Sequence, residues 1–134
     1  MTKQTFLLTF LCVSFIFIGC EKEVSPAIVG STEVSIVFNS PTHNQTLNGS
    51  SEVSIEARID ANELMSGYRV IITDKKNGDV LDTIDDLYEQ TQYIVHHHWY
   101  PSINEPTVVE IKIEALERNL LVLEEGVIDV TCTP

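Results

Sequence analysis

Three consecutive histidines, His96, His97 and His98, are the most distinctive group of side chains with chemical potential in this sequence. On an extended strand, alternate side chains point to the same side, so His96 and His98 would share one face. Two imidazoles at that spacing can bind one divalent ion, and neutral imidazole suits Zn²⁺, Cu²⁺ or Ni²⁺. A third ligand would come from His43 or from a carboxylate. His-rich tracts also bind metal adventitiously, so we predict no resident metal or cofactor and keep His96 and His98 as candidates.

A cysteine at position 20 is the second group with distinctive chemistry, because a thiolate is a nucleophile that can take a covalent group. It follows an apolar segment from Phe6 to Ile18, which carries Lys3 before it and the acidic Glu21-Lys22-Glu23 after it. A membrane-spanning helix needs about 20 apolar residues and is typically followed by cytoplasmic Lys or Arg. The shorter segment and its acidic flank therefore predict a cleaved secretory signal peptide.

The stretch Phe17-Ile18-Gly19-Cys20 resembles the lipobox of bacterial lipoproteins, in which a small residue directly precedes the modified cysteine. Phe17 departs from the leucine usual at its position. The resemblance implies that Cys20 receives a diacylglyceryl group, that residues 1–19 are removed, and that the new amine is acylated. Because stable anchoring takes more than one acyl chain, such a residue would hold the protein on the cell envelope, at either face of an outer membrane.

The charge and the remaining cysteines restrict the classes of partner. The net charge is −12, which speaks against nucleic acid and against adhesion to anionic lipid by charge alone. Cationic partners or divalent metals would be favoured, although an acidic surface also serves solubility. Cys12 would leave with the signal peptide, so Cys132 has no disulfide partner in the mature chain. It alternates with Val130 and Ile128, which predicts a buried apolar residue rather than a reactive thiol.

Residues 20–33 form an aperiodic segment that we interpret as the lipidated cysteine and a short tether, leaving residues 34–134 as one domain. Within it, apolar residues alternate with polar ones, as in half-buried strands. Asn77-Gly78 predicts a hairpin turn. We expect a loop over 61–67 with Leu64 and Met65 in the core, and a break in the last strand at Gly126. The predicted strands are Val34–Phe38, Val53–Ile59, Tyr68–Ile72, Val80–Ile84, Thr91–Tyr100, Val109–Ala115, and Leu121–Leu123 with Val127–Cys132.

No segment has a sustained period of 3.6 residues, so the sequence predicts an all-β fold. About seven short strands favour an immunoglobulin-like antiparallel β-sandwich, with an up-and-down barrel as the alternative. The stretches Phe38–Pro41, Val53–Ala57 and Trp99-Tyr100-Pro101 look like Ig-like modules of uncharacterised lipoproteins of Bacteroidota type. This resemblance spans Val34 to Cys132 and brings no catalytic residue with it.

The functional hypotheses follow from these observations. The sequence has no nucleophile elbow and no glycine-rich phosphate loop, so we predict that the protein is not an enzyme. The leading hypothesis is a lipid-anchored envelope module that binds a protein or a glycan. The alternative is a metal-binding lipoprotein that uses His96 and His98. Trp99 with Tyr93 or Tyr100 would form a sugar-stacking platform if exposed, although burial in the core is the commoner fate of such residues.

Overall fold

A computed structural model describes residues 31–134 of the protein. The predicted signal peptide, Cys20 and most of the tether lie outside these residues. A search of 31–134 finds no helix with the length and hydrophobicity needed to cross a membrane. The elements are β1 (Val34–Ser40), β2 (Thr46–Asn48), β3 (Val53–Met65), β4 (Gly67–Asp74), β5 (Val80–Asp86), β6 (Gln90–Trp99), β7 (Thr107–Leu116), a 3₁₀ turn (Arg118–Leu120) and β8 (Val122–Thr133).

The strands form two sheets packed face to face. The smaller sheet has the order β1-β3-β6, and the larger has the order β2-β8-β7-β4-β5. All neighbouring pairs are antiparallel except β2 and β8, which run parallel. Strands β5 and β6 are the outermost strands of their sheets on one side of the sandwich. Two separate sheets confirm the predicted Ig-like sandwich and exclude the single closed barrel.

The core lies between the sheets and consists of the alternating apolar residues that the sequence places on one face. β-branched side chains dominate it because they pack well on a pleated surface. Cys132 is fully buried among them, and burial raises the pKa of its thiol. The fully buried side chains on the two inner faces include Ile55, Ile59, Met65, Val70, Ile72, Tyr93, Val95, Val109, Ile111, Ile113 and Val130.

The prediction of a loop over residues 61–67 is wrong, because β3 continues to Met65. The extension is held at one side by Asn62, whose backbone N–H donates to the Glu33 carbonyl (3.2 Å), while its side chain accepts from the Glu33 N–H (2.9 Å). A register shift between Asp60 and Met65 changes the alternation. Met65 is therefore buried as predicted, whereas Leu64 is 63% exposed rather than in the core.

Two further strand predictions are corrected by the structure. The turn-rich segment after β1 contains β2, which pairs with the end of β8 through Leu47 and Cys132. The last strand is not broken at Gly126, since β8 runs continuously from Val122 to Thr133. Glycine is needed there for close approach rather than for a turn. A Cβ on Gly126 would lie 2.8 Å from Ile36 Cγ2 and 3.1 Å from Phe38 Cε2, so β1 of one sheet packs directly over β8 of the other.

Replacing Gly126 by alanine should lower the free energy of unfolding by about 1–3 kcal/mol, the usual cost of adding a methyl group to a packed core. Ile36 would have to move, because contact at 2.8 Å is too close for two carbon atoms. Urea denaturation followed by tryptophan fluorescence measures the change. Val127→Ala is the matched control, since this neighbouring side chain is exposed, and its effect should stay within about 0.5 kcal/mol. Equal stability of the two variants would contradict the close packing of β1.

Three tyrosines pack together at one end of the core. The Tyr93 ring makes edge contacts with Tyr68 (centroids 5.4 Å apart) and Tyr88 (5.1 Å). The Tyr93 hydroxyl donates to the backbone carbonyls of Met65 (3.3 Å) and Tyr88. The Tyr68 hydroxyl donates to Asp86 Oδ2 at 3.3 Å. These hydroxyls therefore tie β6 to the end of β3 and to the β5–β6 connection, and they tie β4 to the end of β5.

Burial, together with the nearby Asp86 carboxylate, raises the pKa of Tyr68 to about 12 from an ordinary value of 10.0. A raised pKa in the folded state means that this group's contribution to stability is complete below pH 10 and is lost as the pH rises through about 12. Tyrosinate absorbance should therefore show one component delayed to about pH 12 in the native protein, and none after unfolding in denaturant. That component should vanish in Tyr68→Phe. A native titration complete near pH 10 would contradict the burial.

Candidate functional site

Strand alternation divides the three histidines between the two faces of β6. His96 and His98 point outward from the three-stranded sheet and are exposed, with ring centroids 4.6 Å apart. His97 points the other way, toward the second sheet, and is half-buried. The outward pair is therefore open to a ligand in solvent, whereas His97 belongs to the junction between the sheets.

Carboxylates from β3 and from the residue directly before it meet the outward histidines. His98 Nδ1 lies 2.5 Å from Glu52 Oε1, and the Tyr100 hydroxyl donates to the second oxygen of Glu52. His96 Nε2 is 3.9 Å from Glu56 Oε1. We call these five residues the Glu52 cluster. The Tyr100 hydrogen bond and then the His98 contact hold the pKa of Glu52 below its usual value, and the same hydrogen bond raises the pKa of Tyr100.

The Glu52 cluster brings two imidazoles together but does not bring His43 to them. The His43 Nδ1 atom accepts a hydrogen bond from the Asp129 backbone N–H (3.1 Å), on β8 of the other sheet. Over residues 31–134, no three His, Cys, Asp or Glu side chains are arranged to hold a metal ion together. His98 Nδ1 is already engaged by Glu52.

The inward histidine links the two sheets on their open side. His97 Nε2 lies 2.9 Å from Asp82 Oδ2, which belongs to β5 of the larger sheet. Both strands are outermost on this side, so no other strand in the described part of the chain connects them there. Sequence reasoning assigned His97 to the strand but not this contact, because periodicity does not show which strands of opposite sheets face each other.

An apolar and basic row crosses the middle of the same outer face. Val37, Arg58 and Ile94 are direct neighbours on β1, β3 and β6, and Val37 and Ile94 are 52% and 67% exposed. Asp60 holds Arg58 in place, with Arg58 Nε to Asp60 Oδ2 at 2.7 Å. Sequence reasoning missed this row. The available signal was one apolar residue among the polar outward residues of β1 and one among those of β6, since Val37 and Ile94 interrupt the alternation on their strands.

The positions of the aromatic residues test the hypothesis of a sugar-stacking platform. Trp99 and Tyr93 are buried in the core, and Tyr100 is 70% exposed. Tyr100 follows Trp99 directly, so its side chain leaves the strand toward Glu52 rather than toward the core. The suggested sugar-stacking platform from Trp99 with Tyr93 or Tyr100 is therefore wrong, because two of its three rings are not accessible.

The net charge of the domain is negative. Between residues 31 and 134 there are six Lys and Arg side chains against eighteen Asp and Glu. Each of the six cations lies within 4.0 Å of a carboxylate oxygen, so none remains unpaired in this part of the chain. The pairs are Arg58–Asp60, Arg69–Asp85, Lys75–Asp129, Lys76–Glu105, Lys112–Glu114 and Arg118–Glu89.

Comparison with known proteins identifies the fold alone. No family model matches the sequence, and no curated protein matches it. Among solved structures, the CARDB domain of a Pyrococcus furiosus protein, solved in complex with di-metal ions, has 11% sequence identity and a TM-score of 0.51, with 78% of this chain and 90% of that chain covered.

Two further structures are similar at lower scores. The fibronectin(III)-like modules of CbhA from Clostridium thermocellum have 14% identity and a TM-score of 0.46, covering 74% of this chain and 96% of that chain. Self-complemented MyfA, the major subunit of Myf fimbriae from Yersinia enterocolitica, has 11% identity and a TM-score of 0.37, covering 76% of this chain and 99% of that chain. The two packed sheets give residues 31–134 an immunoglobulin-like sandwich fold, and the function has to be argued from the surface of this domain.

Proposed function

We propose that this protein is a lipid-anchored module of the bacterial cell envelope that binds another protein through the outer face of its three-stranded sheet and has no enzymatic activity. The lipobox-like sequence ending at Cys20 supports the anchor, with the outer membrane as the site of attachment. The domain supports the binding role, because Ig-like sandwiches commonly present sheet faces and loops from a rigid core.

The observation that carries the binding proposal is the exposed row of Val37, Arg58 and Ile94. Two accessible aliphatic side chains flank a guanidinium whose position is fixed by Asp60. Protein interfaces favour arginine near an apolar centre, surrounded by polar groups that stay in contact with water. The Glu52 cluster provides such a polar rim along one side of the row, beside Arg58 and Ile94.

A protein partner fits this face better than a glycan does. Sugar binding relies on exposed aromatic rings that stack on the saccharide, and Tyr93 and Trp99 are inside the core. The carboxylates on the domain outnumber its cations threefold, and the cations are paired. A partner surface with complementary positive charge would associate faster with this domain, because opposite fields steer the encounter.

Site-specific photocrosslinking in intact cells tests this proposal. A photoreactive amino acid at Ile94 should give a discrete protein adduct. The same group at Val127 is the control, since that residue is exposed on the outer face of the other sheet. Adding Arg58→Glu should abolish the Ile94 adduct while leaving the fold intact. Adducts at Val127 but not at Ile94 would place binding elsewhere and contradict the proposal.

Metal binding is the second candidate function, favoured by the 4.6 Å separation of the His96 and His98 rings and by the carboxylates beside them. Zinc would take both imidazoles and a Glu52 or Glu56 oxygen after rearrangement of the Glu52 cluster. Calorimetric titration of Zn²⁺ and Cu²⁺ into tag-free protein decides this point. Micromolar affinity that disappears in His96→Ala/His98→Ala would support it, and absence of binding would remove it.

A further inference from the structure

One end of the sandwich exposes a concentration of large apolar side chains. Six of the thirteen large hydrophobic residues exposed in the described part of the chain lie in or beside the connections β3–β4, β5–β6 and β7–β8. Five of the six are aliphatic and one is a tyrosine. We call this set the apolar end, and its members are Leu64, Leu87, Tyr88, Leu120, Leu121 and Val122.

Strand register places these three connections at the same end of the molecule. Met65 at the end of β3 pairs with Gln90 at the start of β6. Gly67 at the start of β4 pairs with Leu116 at the end of β7, and Leu116 pairs with Val122 at the start of β8. A shared open hollow of about 420 Å³ confirms that they converge. Its lining comes from Thr32, Glu63, Leu64, Glu89, Glu117, Arg118 and Leu123.

The chain coming from Cys20 enters the domain at this end. β1 begins here, because Val34 pairs with Ala61 near the end of β3. Just before β1, Thr32 Oγ1 donates to Glu63 Oε2 (3.2 Å) and the Glu33 N–H donates to Asn62 Oδ1 (2.9 Å). Residues 21–33 span at most about 43–47 Å when fully extended, so a lipid on Cys20 keeps the apolar end within that distance of the bilayer.

We propose that the apolar end rests on the membrane surface, with its leucines and Tyr88 at the level of the lipid headgroups. This inference depends on the lipid anchor of the proposed function. Tethering makes contact with the bilayer an intramolecular event at high effective concentration, so a surface too weak to bind lipid from solution suffices. Tyrosine beside aliphatic residues is typical of side chains at membrane interfaces.

The carboxylates at this end specify the type of lipid. Glu63, Glu89 and Glu117 surround the hollow, and Arg118 is paired with Glu89 at 3.2 Å. Anionic headgroups would repel this ring of negative charge, so the apolar end suits a zwitterionic surface. In that orientation the strands stand upright on the bilayer. The Glu52 cluster, at the start of β3 and the end of β6, is then at the far end from the lipid.

Fluorescence quenching with the lipidated protein tests the orientation. Full-length protein with Leu121→Cys or Val108→Cys is expressed, extracted from membranes, labelled with an environment-sensitive dye and reconstituted in phosphatidylcholine vesicles that carry spin-labelled lipid. Both positions are exposed, and Cys132 is buried, so each protein has one reactive thiol once Cys20 is acylated. The dye at 121 should be quenched several-fold more than the dye at 108, which lies near the opposite end.

Each other outcome identifies what has failed. Equal, weak quenching at both positions on a protein whose intact mass includes the acyl chains would overturn the orientation and leave the anchor standing. An intact mass without acyl chains would overturn both. Adding Leu87→Glu should reduce the quenching at 121. Quenching that becomes stronger when phosphatidylglycerol replaces phosphatidylcholine would overturn the zwitterionic preference.

Discussion

Replacing Cys20 by alanine is expected to leave residues 1–19 attached and to abolish acylation completely. Alanine has no thiol, so the diacylglyceryl group has no atom to attach to, and cleavage of such precursors follows that modification. Intact mass spectrometry of membrane extracts provides the measurement. The natural protein should begin at residue 20 and carry the mass of the acyl chains, whereas Cys20→Ala should retain residues 1–19 and carry no acyl mass.

Cys12 provides the matched control because it lies within the same apolar segment. Cys12→Ala should be processed like the natural protein, since that residue would be discarded with the signal peptide. The anchor would be refuted if the natural protein still carried its first nineteen residues, or if it began at residue 20 without acyl mass. The proposed orientation would be lost with it, whereas the sandwich fold does not depend on this result.

Replacing Tyr93 by alanine should destabilise the domain by about 3–5 kcal/mol, the usual cost of removing a large buried aromatic ring. The ring is 1% exposed and contacts Tyr68 and Tyr88, and its hydroxyl satisfies the Met65 carbonyl. Domains of this size have a total stability of about 5–15 kcal/mol. Within residues 31–134 the one cysteine is free, so no disulfide there offsets the loss. Urea denaturation measures the change.

Two further variants separate the causes of that loss. Tyr93→Phe removes only the hydroxyl and should cost about 1–2 kcal/mol, because the buried carbonyl acceptors lose their donor. Tyr100→Ala removes an exposed ring and should change stability by about 0.5 kcal/mol or less. If Tyr93→Ala were no more destabilising than Tyr100→Ala, the position of Tyr93 in the core would be wrong.

The sandwich could be predicted from the sequence because its strands alternate so regularly. Val53, Ile55, Ala57 and Ile59 read as one buried face, and the structure buries all four. The turn at Asn77-Gly78 was predictable because an Asn-Gly pair readily takes positive φ. The structure agrees, since Gly78 has a φ of 80°. What alternation does not encode is the partner of each strand, so the division into sheets of three and five strands required the structure.

The wrong strand predictions have specific physical causes. β2 has only three residues, and its pairing with β8 depends on contacts far along the chain. The extension of β3 to Met65 depends on hydrogen bonds with Glu33, in a segment interpreted as tether. Gly126 looked like a break because glycine is common in turns. Its actual role is to admit Ile36, which only the packing of the two sheets reveals.

The candidate site was predictable only in part. Strand alternation predicts that His96 and His98 lie on one side, and the structure places them so. The contact of Glu52 with both His98 and Tyr100 joins residues 46 or more positions apart, which no local pattern contains. The row of Val37, Arg58 and Ile94 likewise depends on the register of three strands.

The edge strand β5 of the larger sheet affects how two copies of this protein would associate. β5 carries Asp82, Asp85 and Asp86, and within residues 31–134 no other strand pairs with its outer side. An uncovered strand of this kind invites a second copy to extend the sheet, and charge is a common defence against it. Copies anchored through Cys20, as proposed above, would share a two-dimensional surface and collide often. Repulsion between the acidic β5 edge strands of two copies would keep the copies apart, and so prevent fibrous association at high surface density.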